Sequence, residues 1–388
     1  MISITKAEPQ DFSSTDVLFQ TAFWGRFREK AQNNPFCNEQ SSLYFWASYK
    51  PDENSKSTVF PILIQARKTF SGTIYAYAQR APAVALPEEN RSALLEELAF
   101  ALREFLPEKT VFLRFDLPWS VPGIKNAAER IEMQELAMNF GSKHHNLRKA
   151  PSNHLCPDTV IIDLRPSPEK LLASMRQQTR NSIRRAYKEE VDFSICDAKS
   201  PDLMRNLKEW HEIYEATAKR KNFYFEGFDY FKTLFECAGN ADGEENAAPR
   251  FEEKSKVPLD ASVPPPRFYL FTASKENKML SGLVLAISAK RAYYMYAASA
   301  LEGRQCMPNY GLQWEVIRFA RSKGCTHYDL MGIPQDENKN DPMAGLYIFK
   351  TGFGGQKTHF GGTWDFPYDK EKYKNFRLSE TLGMKNKR

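Results

Sequence analysis

The chain has 388 residues, 42% apolar and 13% aromatic, enough for two or three domains with packed cores. Its 54 basic against 48 acidic side chains leave a net charge of +6 and a pI near 8.8, open to anionic partners but short of a dedicated nucleic-acid binder. No run approaches the ~20 apolar residues of a membrane span, no basic-then-apolar signal opens the chain, and the six cysteines show no ligand spacing, so a cytoplasmic protein with reduced thiols is expected.

In chain order, 19–30 reads as a helix capped by Thr21, with Phe23, Trp24 and Phe27 on one face and Arg28 one turn beyond Trp24. Segments 42–50, 58–68 and 73–79 read as antiparallel strands, 86–105 as a helix, and 110–116 as a strand ending on the carboxylate of Asp116. This order predicts an α/β domain over 1–150. In the second half, 159–164 is a strand, and Ser167-Pro168 opens a helix predicted to run to 190. Arg176, Arg180, Arg184 and Lys188 recur along it every four residues. Such a stripe is either a solvated face or a surface for nucleic-acid phosphates.

A second helix, 201–219, delivers Arg220 and Tyr224. Residues 238–266 are poor in apolar side chains and read as a disordered insertion. Strands follow at 268–273, 280–288 and 292–299, the last placing Tyr294 and Tyr296 on one face and Tyr293 on the other. A helix at 310–322 and a strand at 328–333 complete a second domain, 151–360. The two halves share a strands–helix–strand order, which suggests duplication.

The stretch 345–355 reads as a strand end that delivers one cation, Lys350, between Phe349 and a glycine-rich exit (Gly352, Gly354, Gly355) giving a ligand clearance. A lysine so placed either snorkels to water or stabilises negative charge. No phosphate-loop, dinucleotide, nucleophile-elbow or zinc-helix motif occurs, and no metal site is expected. The set Arg28, Arg220, Lys350, Tyr224, Tyr296 and Asp116 suits an anionic substrate and acyl transfer to an amine by positioning and charge stabilisation. The order of elements over 268–333 is that of an N-acyltransferase core. The turn 301–309 lacks the small residues that cradle coenzyme A, and Met307-Pro308 removes an amide donor, so another acyl donor is expected.

Several segments in order carry a family resemblance: QTAFWGRFR (20–28), RFD (114–116), TRNSIRRA (179–186), TAKRKNFY (217–224), YDLMGI (328–333) and GLYIFKTGFG (345–354). Together the chain resembles the FemABX family of peptidoglycan-bridge aminoacyltransferases. The resemblance implies a mixed α/β fold of two tandem GNAT-like N-acyltransferase domains without a long coiled-coil arm, and a tail, 361–388, that returns to the first domain. It implies transfer of an amino acid from aminoacyl-tRNA, the co-substrate, to the stem peptide of UDP-MurNAc-pentapeptide or lipid II, without a cofactor. It further implies a monomer with peripheral contact at the inner face of the membrane.

By matching positions, Arg28 and Arg220 would hold the muropeptide diphosphate, Tyr224 and Tyr296 would line its path, and Asp116 would face the acceptor amine. Phe349 and Lys350 would meet the tRNA acceptor end, Lys350 stabilising the oxyanion, and the 176–188 stripe would contact tRNA. Position 28 is Arg where the family commonly has Lys, which changes the geometry of the charge. A coenzyme-A-dependent N-acyltransferase and a non-catalytic RNA- or precursor-binding relative are the alternatives.

Overall fold

The computed structural model describes residues 1–9, 12, 16–31, 39–121, 131–244, 264–334 and 343–385. The first half comprises β1 (Ile2–Ala7), α1 (Ala22–Lys30), β2 (Glu39–Tyr49), β3 (Thr58–Lys68), β4 (Ile74–Ala78), α2 (Glu88–Leu102), β5 (Thr110–Asp116), β6 (Ser120–Val121), α3 (Ile131–Asn139) and β7 (Arg148–Lys149). The second continues with β8 (Asp158–Asp163), α4 (Pro168–Ser174), α5 (Gln177–Lys188), β9 (Asp192–Asp197), α6 (Leu203–Lys221), α7 (Phe228–Glu244), β10 (Arg267–Lys275), β11 (Lys278–Ser288) and β12 (Arg291–Ser299). It closes with α8 (Pro308–Ser322), β13 (His327–Gly332), α9 (Ala344–Thr351) and β14 (Gln356–Phe360), after which come β15 (Thr363–Pro367) and α10 (Lys370–Lys385).

The sheets run β1-β2-β3-β4-β5-β15-β7 and β6-β14-β8-β13-β12-β11-β10-β9. Each contains a single parallel pair, β4 with β5 and β12 with β13, bridged by α2 and α8 respectively. The halves exchange strands: β15 pairs antiparallel with β5, and the short β6 pairs with β14. Arg114 on β5 fastens the tail. Fully buried, its guanidinium makes paired bonds of 2.7 and 2.8 Å to Asp365 of β15 and two of 2.9 Å to Glu380 of α10.

Helix α1 belongs to the first half by sequence, yet its apolar face packs on the second. Thr21 caps it through the Trp24 amide at 3.2 Å, and Phe23, Trp24 and Phe27 join Trp210, Phe231, Phe268 and Tyr293 in one core. Burying each such ring contributes about 1.5–3 kcal/mol, which holds the two halves together.

Three expectations change. The helix predicted over 170–190 is two helices, because Met175 and Arg176 adopt extended backbone (ψ 154 and 146) as Met175 enters the core. The break is stitched by the Arg176 amide to the Gly352 carbonyl, 2.9 Å. The run 345–350 is helical, not a strand, burying Tyr347 and Lys350 one turn apart and exposing Ile348. Residues 238–244 complete α7, whose Phe231, Leu234, Phe235 and Ala238 are buried. The remainder of the expected insertion, apart from 264–266, lies outside the described residues.

Candidate active site

Strands β12 and β13 pair only at Arg291–Tyr293 with His327–Asp329 and part company beyond. Both are bulged at the opening. In β12, Met295 has no partner across β11, so Tyr296 lies on the Tyr293 side of the sheet and Tyr294 on the other. The expected pairing of Tyr294 with Tyr296 on one face is therefore wrong, because the extra residue inverts the alternation. In β13 the shift follows Asp329, and Met331 takes φ 55. Asp329 holds that turn by accepting from the Met331 amide (2.8 Å) and the Thr159 hydroxyl.

The β13 bulge aims two successive carbonyls at Lys350. Its Nζ donates to Gly332 at 2.9 Å and Met331 at 3.3 Å, and it lies 5.1 Å from the centre of the Tyr294 ring. Of its three N–H groups, two are thus placed on carbonyls. Burial pulls its pKa down to about 8, against the opposing charges of Asp329 and Cys156. Phe349 stacks edge-on against Tyr310 at 5.0 Å and Phe353 at 5.2 Å. The glycines serve close packing, and Gly354 and Gly355 also border the cleft between the halves. A Cβ on Gly354 (φ 80) would meet the Ser174 carbonyl at 2.7 Å, one on Gly355 would meet Val160 at 2.6 Å, and one on Gly352 would strike Thr179.

On the opposite face of β12, Arg28 of α1 donates to the Tyr230 hydroxyl at 3.3 Å, and Tyr230 and Tyr296 share a hydrogen bond of 2.7 Å. Burial disfavours the Arg28 charge, but Tyr230, Tyr296 and Glu226 outweigh it and hold the pKa up. Burial likewise raises Tyr230, Tyr296 and Glu226, so the tyrosines stay neutral donors. Tyr224 donates to Glu226 at 3.1 Å. Arg220 sits exposed on the rim, 3.4 Å from the Ser299 carbonyl at the end of β12. Sequence reasoning missed Tyr230 and Glu226. Tyr230 belongs to a helix it did not predict, and Glu226 is a carboxylate set in a basic, aromatic stretch.

Asp116 is not part of either cluster. It is 2% exposed, and the hydroxyls of Tyr77 and Thr363 each donate to one of its oxygens. Burial raises its pKa, opposed by those hydrogen bonds and by Arg80 and Arg114. A carboxylate enclosed in this way does not face an incoming amine. The basic stripe is divided as well. Arg180 folds back onto the Ala173 (3.1 Å) and Met175 carbonyls that end α4, while Arg176, Arg184 and Lys188 remain exposed.

A cleft of about 1080 Å³ separates the halves, walled by residues of β8, β13 and β14 and by Arg80 and Pro118. Of the residues singled out from sequence, Tyr293, Gly354 and Gly355 line it, whereas Arg28, Asp116, Arg220, Tyr224, Tyr296, Phe349 and Lys350 do not. Arg80, in left-handed backbone (φ 50), lies over the Phe360 ring at 4.0 Å and donates to the Leu117 (3.3 Å) and Cys156 (3.1 Å) carbonyls across the junction. Met331 lines the cleft and its carbonyl holds Lys350, so the ammonium lies directly behind the cleft wall.

The sequence matches the FemAB family over residues 4–241 and 269–381. The chain belongs to the FemAB family. Among curated relatives, it is 23% identical to the lipid II:glycine glycyltransferase of Staphylococcus aureus strain COL over 330 positions, covering 73% of this chain and 75% of that one. The enzyme of the same description from strain USA300 is 24% identical over the same shares. A FemX crystal structure superposes with a TM-score of 0.66 at 16% identity, covering 97% of this chain and all of the other. A tandem GNAT protein of the clavulanic acid pathway is a more distant likeness, TM-score 0.45 at 12% identity over 94% of this chain and 98% of that one.

As a FemAB protein the chain is an acyltransferase, built on two halves that each carry one helix-bridged parallel strand pair, and its site can be read in those terms. The opening between β12 and β13 offers a buried ammonium on one face and a guanidinium with three tyrosines on the other. One strand, β12, contributes to both because its bulge at Met295 sends Tyr294 and Tyr296 to opposite faces of the sheet.

Proposed function

We propose that this FemAB protein moves an aminoacyl group from aminoacyl-tRNA to the side-chain amine of the stem peptide of a peptidoglycan precursor, building the interpeptide bridge. The buried Lys350 ammonium at the β12–β13 opening carries this reading. The amine nitrogen attacks the ester carbonyl, a C–N bond forms, and the oxyanion draws on the remaining N–H of Lys350. The C–O bond to the tRNA ribose then breaks, that oxygen taking up a proton as the nitrogen loses one. Phe349 packs beside the acyl-tRNA end, and no cofactor takes part.

Arg28 and Arg220 bind the diphosphate of the acceptor, with Tyr224 and Tyr296 along its path. The glycyltransferases named above act on lipid II, which favours a lipid-linked acceptor. Asp116 acts at a distance, fixing Tyr77 and the start of β15, and Arg176, Arg184 and Lys188 meet tRNA phosphates. The entry to α8 supports a donor other than coenzyme A: Met307 is left-handed (φ 55) and Pro308 occupies the first helical position with no amide to donate.

The test is incubation with charged tRNAs, glycyl-tRNA among them, and a muropeptide precursor, with products read by mass spectrometry. An extended stem peptide is expected. Product formation from acetyl-coenzyme A and none from charged tRNA would overturn the reading.

A further inference from the structure

With Asp116 enclosed by the Tyr77 and Thr363 hydroxyls, the transfer needs another side chain to receive the proton that the attacking nitrogen loses. The cleft between the halves holds a pair suited to that work. His359 of β14 faces Asp158 of β8 across an antiparallel pairing, its Nδ1 at 2.8 Å from the carboxylate. A carboxylate only accepts, so Nδ1 carries the proton and Nε2 presents a lone pair. Nε2 has no hydrogen-bond partner among the described residues. Both side chains line the cleft, 17% and 16% exposed.

An aspartate–histidine pair on neighbouring strands is ordinarily a modest stabilising contact. Placement sets this one apart. The Ile333 amide donates to the Asp158 carbonyl at 2.9 Å, and Gly332, whose carbonyl holds Lys350, pairs with the next β8 residue, Thr159. The pair thus stands one residue along the ladder from the support of the lysine. Burial raises the pKa of the Cys156 thiol, which also feels Asp158 and Lys350, so carboxylate and ammonium both lie near one sulfur. Tyr293 lines the same cleft on the Tyr296 side of the sheet, so an acceptor held at Arg28 has the cleft on its own side. His327, also in the cleft, is bonded through Nδ1 to the Thr326 hydroxyl at 2.9 Å instead of to a carboxylate.

We propose that His359 is the general base of the transfer, with Asp158 as its positioning residue. The inference rests on the reading of the protein as an acyltransferase to an amine. Nε2 takes a proton from the acceptor nitrogen as the C–N bond forms, while Asp158 stabilises the imidazolium. The same proton passes to the ribose oxygen as the ester C–O bond breaks, which returns the imidazole to its starting state.

The test is single-turnover transfer from charged tRNA by the full chain. His359→Ala is expected to lower the rate about 10²–10⁴-fold while the acceptor Kd stays within about threefold of the wild type. Imidazole added to this variant restores much of the rate. Pyrazole, equal in size but a far weaker base, does not, which separates proton transfer from the filling of a hole. Asp158→Asn removes the carboxylate that fixes the Nδ1 proton, lowers the rate at least about tenfold, and is not rescued by imidazole. If His359→Ala melts below the wild type, His359→Gln, which keeps a donor for Asp158, gives the same reading.

A His359→Ala rate within about threefold of the wild type, or equal rescue by pyrazole and imidazole, overturns the proposal. Failure of the transfer reading is a separate result, product from acetyl-coenzyme A and none from charged tRNA. The same variants assayed with that donor still decide the role of His359.

Discussion

The Lys350 ammonium stands 2.9 Å from the Gly332 carbonyl, and this contact exists because β13 is bulged immediately before Gly332. The lysine is held by backbone oxygens rather than by a carboxylate, so its charge is kept but not neutralised. Lys350→Ala is expected to lower kcat by roughly 10²–10³-fold, as loss of one oxyanion donor does, with the KM of the acceptor little changed. Steady-state kinetics with each substrate varied in turn check this, and a change below about threefold would remove Lys350 from the chemistry.

The pH dependence has a definite sign. With its pKa near 8, Lys350 loses its charge as pH rises through that value, so kcat falls on the alkaline side if the ammonium stabilises the transition state, and rises if the lysine acts as a base. Stability moves the other way. A lysine whose folded pKa lies below its unfolded value of ~10.4 is a cost fully present below about 8 and relieved as pH climbs from there to ~10.4, so resistance to denaturant increases across that window. Lys149, held near 8 by the same burial, adds to the effect; the difference between wild type and Lys350→Met isolates one of the two.

On the other face of β12, Arg28 and Tyr230 meet although 202 residues separate them in sequence. Tyr230→Phe removes the hydroxyl that accepts from Arg28 and bonds Tyr296, and is expected to raise the KM of the acceptor by roughly tenfold with kcat nearly unchanged. Arg28→Ala removes the charge itself and costs about 2–3 kcal/mol of acceptor binding, roughly 30- to 150-fold. Calorimetric titration with a nucleotide-linked muropeptide reads both.

Arg114 is a prediction about folding. Replacing it with Met strands Asp365 and Glu380 without their cation, Asp365 in the interior, and should cost about 3–5 kcal/mol in urea unfolding. Adding Asp365→Leu should recover part of the loss, because removing both partners of a buried pair is far milder than removing one.

The basic stripe separates by experiment. Arg184→Ala and Lys188→Ala should weaken tRNA binding and flatten its salt dependence by about one charge each, leaving the melting temperature unchanged. Arg180→Ala should instead lower the melting temperature, since that side chain closes the end of α4. An identical response of all three would mean that the stripe acts as one surface.

Much of the scaffold is legible in sequence wherever an apolar run is bounded by polar turns. Such runs locate β3, β10, β11 and β12 to within a residue or two, and the Thr21 cap and Ser167-Pro168 mark helix starts by local hydrogen bonding. The failures have local causes too. Apolar residues at 171, 175, 183 and 187 fall at multiples of four on both sides of the Met175–Arg176 break, so periodicity cannot register it. The run 345–350 is short and apolar throughout, and nothing in its pattern separates a strand from a helix with Tyr347 and Lys350 inward.

The chain by itself determined the kinds of residue available for chemistry and the elements that carry them: an amphipathic α1 bearing Arg28, a strand β12 with tyrosines, and a lone cation at 350. Only the tertiary structure decided which of them meet. The bulge at Met295 sends Tyr294 toward Lys350 and Tyr296 toward Arg28, and Asp116 is enclosed because the distant Thr363 pairs beside it. A bulge is one unpaired residue set by the register of neighbouring strands, and pairing across 247 residues is set by the packing of whole sheets. Neither leaves a local pattern to read.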